Sequence, residues 1–128
     1  MQPADPPLNE EIFDDLIAMA GPETAPQLLR QILEDLGQVS RNLESALASG
    51  DAKALHEQGH TLTSLAGTLG ATEMQERAQQ LSALAQTADI DAARGMSQVL
   101  MHDIARLREL VEARSATMPD RSAGGGAA

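Results

Sequence analysis

The 128-residue chain contains no cysteine, no tryptophan and no tyrosine, and its only aromatic ring is Phe13. The lack of cysteine excludes disulfides and thiolate metal sites. The lack of aromatics removes the stacking platforms that hold single-stranded nucleic acid. Cations are scarce too: nine Lys plus Arg stand against nineteen Asp plus Glu, for a formal net charge of −10. They are scattered along the chain, so a polyanion is repelled and no nucleic-acid partner is expected. No apolar run reaches the roughly 18 residues needed to span a bilayer. The N-terminus, MQPADPPLNEE, is acidic and proline-rich where a secretory signal is basic and then apolar. These absences predict a cytoplasmic protein with no membrane association. The length suits one domain.

What is present is helical periodicity almost throughout, with no sustained alternation of period two. The pattern predicts an all-α fold. Asn9 is placed to cap a short first helix ending near Gly21, with Leu8 stapled against Phe13. Pro22 suits the first turn of a second helix carrying a stripe from Leu28 and Leu29 through Ile32, Leu36, Val39 and Leu43 to Ala46 and Leu47. Gly50 stops it, and Asp51 caps a third helix that runs to about Leu69. Beyond Gly70, Thr72 with Gln75 reads as a capping box for a fourth, bearing Met74, Ala78, Leu81 and Leu84. Asp89 caps a fifth, with Ile90, Ala93, Leu100, Ile104, Leu107 and Val111 on one side. Four long amphipathic helices joined by short loops predict an antiparallel up-down four-helix bundle with a short extra N-terminal helix. The bundle is expected over residues 8–113, between a tail at 1–7 and a disordered tail at 114–128 that ends in GGGAA.

The stretch HEQGHTLTSLAGTLGA, residues 56–71, fits two unrelated chemistries. Its first five residues match H-E-x-x-H, in which two histidines a turn apart bind zinc and the glutamate acts as general base. That chemistry needs a third ligand and an edge strand. Ala66 occupies the position where a third histidine would stand, no strand is predicted, and only Glu73 or Glu76 on the next helix offers a substitute. On a helical wheel of about 100° per residue, Leu55, Gly59, Leu62, Ala66 and Leu69 fall within about 40° of one direction, which is the core. His60 lies about 140° from it and is expected to face solvent. Thr63, Ser64 and Gly67, one and two turns on, are small and leave a clear approach to its imidazole. His102 reads as a plain surface or boundary residue.

The last twelve residues resemble the histidine-containing phosphotransfer domain family, whose motif approximates H-x-L-K-G-x-x-x-x-L-G-A. His60, Leu62, Leu69, Gly70 and Ala71 match it in register, and Leu43, Leu47, Gly50-Asp51 and Leu55 resemble the approach to it. The resemblance implies a four-helix bundle with an exposed histidine. It also implies a phosphorelay carrier in two-component signalling: His60 accepts a phosphoryl group, through the nitrogen farther from the backbone, from a receiver aspartate or a kinase and passes it to another receiver. Such a carrier is no enzyme and needs no metal or cofactor of its own, because the receiver supplies Mg²⁺. Its partners are receiver domains or a hybrid sensor histidine kinase acting in trans on a monomer.

Leu62, Leu69, Gly70 and Ala71 are then structural parts of the motif, and Thr63, Ser64, Gly67 and His56 support or dock. Two positions depart from the pattern. Thr63 stands where the family has a lysine that offsets phosphoryl charge, and Ser64 stands where it has glycine. Lys53 shares nearly the same face but lies about 10 Å along the axis. Two alternatives therefore stay open: a phosphorylation-incompetent bundle that binds receivers or kinases as an adaptor or inhibitor, and the HExxH zinc hydrolase.

Overall fold

The computed structural model describes residues 8–118. It contains four helices: α1 (Glu10–Ser49), α2 (Ala52–Leu69), α3 (Thr72–Gln86) and α4 (Ile90–Thr117). No strand occurs among the described residues, and none of the helices is long and apolar enough to cross a membrane. The long helix α1 is broken at Gly21, whose φ of 83° and ψ of 163° lie outside helical space. The break separates a short N-terminal arm from a long second arm that begins with Pro22, whose missing N–H would have no partner in a first turn. The predicted short first helix is therefore present as the leading arm of α1.

The helices pack as a cycle in which α2 meets α3, α3 meets α4, and α1 closes against both α4 and α2. With connections only two or three residues long, consecutive helices must run antiparallel, which makes an up-down bundle. Its core is aliphatic: Leu29, Leu36, Leu43, Leu55, Leu62, Leu69, Leu81, Leu100 and Leu107 are fully buried together with Phe13, Ile104 and Val111. Each such side chain contributes about 1.5–3 kcal/mol by leaving water. The predicted stripes supply nearly all of these positions. Ser97, also fully buried on α4, is an exception whose hydroxyl has no hydrogen-bond partner.

The caps follow the expected chemistry at three starts. Asn9 accepts from the amides of Glu11 and Ile12, Asp51 from Ala54 and Asp89 from Ala92. Leu8 and Phe13 both enter the core cluster, as a staple requires. The fourth start differs from the predicted capping box. Thr72 is the first residue of α3, and the cap position is taken by Ala71, which makes no side-chain cap bond. The reason is the tightness of the α2–α3 turn: Gly70 is left-handed at φ 77°, and the Ala71 amide reaches back 2.8 Å to the Ala66 carbonyl. That folds Ala71 wholly into the core, where a polar cap would lose its water.

At its other end α4 runs on through Arg114, Ser115 and Thr117, four residues into the stretch read from sequence as tail. Arg114, near that end, pairs with Asp14 and stands 5.6 Å over the Phe13 ring, which ties the helix to the N-terminal arm. The proposed tail at 1–7 and the remainder of the one at 114–128, residues 119–128, lie outside the described residues.

Helices α2 and α3 make the closest pairing, and Gly59 is what permits it. A Cβ at Gly59 would stand 2.6 Å from Ser82 Oγ and 3.0 Å from both the Ala78 carbonyl oxygen and the Ser82 nitrogen. Two of those atoms are backbone, so relief requires the helices to part. Alanine normally improves a helix interior by about 1 kcal/mol over glycine. We therefore expect opposite outcomes at two glycines in urea unfolding. Gly59→Ala should lose about 1–2 kcal/mol net of that gain, whereas Gly95→Ala, with no atom within 4 Å of its added carbon, should gain up to about 1 kcal/mol.

Candidate functional site on the second helix

The buried residues of α2 are Leu55, Gly59, Leu62, Ala66 and Leu69, the same set that the wheel assigned to the core. Their burial fixes the helix's rotation and turns His60 to the outside, where its side chain is exposed. No protein group among the described residues hydrogen-bonds its ring. The imidazole thus presents both nitrogens to solvent or to a docking protein.

The structural half of the motif lies directly beneath. Leu62, Leu69 and Ala71 are fully buried, and Gly70 takes the left-handed conformation that ends α2. A Cβ on Gly70 would also stand 2.8 Å from Cβ of Ile12, so this turn supports the N-terminal arm. The Asn9 amide donates to the Gly70 carbonyl at 2.8 Å across the same contact.

The residues expected to surround His60 separate into two groups. Ser64 is exposed and joins Asp35, Gln38, Asn42, Gln58 and Thr61, over a floor that includes Val39 and Leu65, in a groove of about 490 Å³ between α1 and α2. Thr63 and His56 instead have partners within the bundle. The Thr63 hydroxyl donates to the Gly59 carbonyl at 2.7 Å, so its proton already points along its own helix. His56 is half-buried, and its Nδ1 lies 3.1 Å from the Ser82 carbonyl oxygen on α3, while Ser82 Oγ donates to the His56 carbonyl at 3.1 Å. A carbonyl only accepts, so Nδ1 carries the ring's hydrogen.

Gly67 is exposed, and a Cβ there would stand 2.7 Å from Nε2 of Gln75. The absence of a side chain at Gly67 is thus used by α3 packing as well as leaving the His60 face low.

The two histidines of the H-E-x-x-H pattern have different surroundings. His56 turns to α3, whereas His60 and Glu57 are exposed. Glu73 and Glu76 both point to solvent, and among the described residues no three His, Asp or Glu side chains converge as metal ligands. His102 is exposed on α4. Sequence reasoning missed the reciprocal bonding between His56 and Ser82. A glycine on the buried stripe of α2 was the available sign of a close helix contact, but nothing in the sequence pointed to Ser82 as the residue it would meet.

The family model for the Hpt domain matches residues 27–117. Among solved structures, the histidine-containing phosphotransfer protein B (HptB) from Pseudomonas aeruginosa PAO1 superposes with a TM-score of 0.80 at 22% sequence identity, over 88% of this chain and 97% of that one. No curated protein matches the chain significantly.

The packing at Gly67 can be tested by stability. The atom that a new methyl would meet is the far end of a flexible glutamine, which can swing aside. Gly67→Ala should therefore stay within about 1 kcal/mol of wild type in urea unfolding, since the helix-propensity gain offsets the displaced contact. A loss as large as that of Gly59→Ala would show Gln75 to be locked in place.

Proposed function

The chain belongs to the Hpt domain family, and from that premise we propose that it is a phosphorelay carrier whose working residue is His60. The observation that carries this reading is the exposed, unpartnered imidazole of His60 on a helix whose opposite face is wholly engaged in the core. A neutral imidazole offers a ring nitrogen as nucleophile to the aspartyl phosphate of a receiver. The P–O bond to the aspartate breaks as the N–P bond forms, and the reverse step hands the group to another receiver. Resemblance to the family assigns the nitrogen farther from the backbone, Nε2. The Mg²⁺ and the acidic pocket belong to the receiver, so His60 acts as a carrier and not as an enzyme. A cytoplasmic location and receivers or a sensor kinase acting in trans complete the reading.

Ser64 and the groove beside it form one flank of the surface a receiver would cover. A serine where the family has glycine adds one hydroxymethyl group there. The departure at Thr63 has more consequence. With its proton engaged by Gly59, the hydroxyl neither offsets phosphoryl charge nor donates to a phosphoryl oxygen in this rotamer. This favours a second reading as well, in which the bundle binds receivers without accepting phosphate.

One experiment separates the two. Incubation with a phosphorylated receiver should place acid-labile, base-stable phosphate on the chain, and His60→Gln should abolish it. A stable complex with no transferred phosphate would establish the adaptor instead, and zinc assayed in the same sample tests the remaining HExxH alternative. In the same assay Thr63→Lys should raise phosphoryl occupancy severalfold, because it places a cation one turn from the phosphoryl group. Unchanged occupancy and rate would show that charge at this position does not limit transfer.

A further inference from the structure

Phosphorylation adds about two negative charges to a chain whose formal net charge is already −10. The cations able to meet that charge are few. Lys53 is the only lysine in the sequence, and it stands two turns and about 10 Å from His60 along α2. Arg77 on α3 is bound to Asp103 at 2.8 Å and to Glu73 at 3.5 Å. Arg41 on α1 lies against Gly37 beside Arg108 of α4. Thr63 supplies no charge.

His56 remains. It sits four residues before His60, which places the two Cβ atoms about 5–6 Å apart on one helix face. Its Nδ1–H is held by the Ser82 carbonyl at 3.1 Å, and its Nε2 has no protein partner among the described residues. Adding a proton at Nε2 makes the ring a cation while the Nδ1–H bond to the carbonyl stays in place, so the charge arrives without any side chain moving.

The groups that face His56 do not pre-empt that charge. Residues 78–86 of α3, the stretch packed against it, contain no Asp, Glu, Lys, Arg or His. The turn that follows carries Asp89, whose carboxylate is occupied in capping α4. On α2 itself its neighbours are Lys53, Glu57 and His60.

Resting on the reading of His60 as the phosphorylated residue, we propose that His56 is a proton-dependent counter-charge for it. When His60 carries phosphate, His56 takes a proton from solvent at Nε2, and the imidazolium offsets the dianion one turn away in place of the missing lysine. Binding of the proton and of the phosphoryl group then favour each other by one shared factor. The contribution needs both the imidazolium and the doubly charged phosphoryl group, so it is lost as pH rises and the proton leaves, and it weakens in acid as the phosphoryl group itself takes up a proton.

Two measurements test the proposal. In the first, the full chain is phosphorylated with phosphoramidate, whose P–N bond breaks to release ammonia as the phosphoryl group joins His60, and the ring nitrogens are followed by NMR against pH. The protonation midpoint of His56 should rise by about 0.7 pH unit on phosphorylation, the equivalent of a roughly fivefold coupling. In the second, the equilibrium constant for transfer from a phosphorylated receiver is compared between wild type and His56→Gln, whose amide can still donate to Ser82. The ratio should exceed one at pH about 6.5, where the phosphoryl group still carries most of its second charge, and fall to about one at pH about 8.5, while His56→Lys should retain the advantage at both.

An unmoved midpoint, or a ratio that is the same at both pH values, would overturn the proposal and leave His56 as a packing residue only. Failure of either donor to phosphorylate His60 would overturn the carrier reading and this inference with it.

Discussion

The separation between α2 and α3 is the constraint on which the rest of the molecule depends. Gly59 lies so close to the backbone of Ala78 and Ser82 that its missing side chain sets the distance between the helices. At that distance Ser82 can bond the backbone of His56 while His56 bonds the backbone of Ser82, and each helix holds the other's rotation. Rotation is what α2 has to control, since a turn of the helix about its axis would carry His60 toward the core or toward a neighbouring helix. The leucines beneath supply the energy of association, and the glycine contact supplies its register.

The same close contact explains why the outer surface is uneven. On the α3 side, His56 and Gly67 are drawn into packing, one by Ser82 and the other by Gln75. On the α1 side the helices leave a groove lined by Ser64, Thr61 and Gln58. His60 stands on the ridge between a tightly sealed flank and an open one. A receiver approaching this ridge meets small or short side chains at Thr63, Ser64 and Gly67, and no lysine or arginine stands within one turn of the histidine along α2 itself.

Much of this was legible in the residues. Period and capping chemistry located the helices, because an apolar stripe has only one face to bury and Asn9, Asp51 and Asp89 have few better uses than the helix starts they occupy. The outward direction of His60 followed from the positions of Leu55, Leu62 and Leu69 alone. Less legible was the start of α3, where Thr72 and Gln75 have the spacing of a capping box but the tight Gly70 turn puts Ala71 in the cap position. The end of α4 was also misplaced, because Arg114 anchors it through Asp14 and Phe13, residues a hundred positions away that no local pattern connects to it.

The sequence by itself determined the class of fold, the burial of the stripes, and the exposure of His60, because these depend on periodicity within single helices and on the low solubility of leucine in water. It also carried the motif that places the chain in its family. Only the tertiary structure decided what His56, Thr63, Gly67 and Ser82 do. Their roles depend on which atoms of a neighbouring helix or turn lie within hydrogen-bond or van der Waals reach, and that is a property of the distance between helices, which a pattern along one helix does not contain.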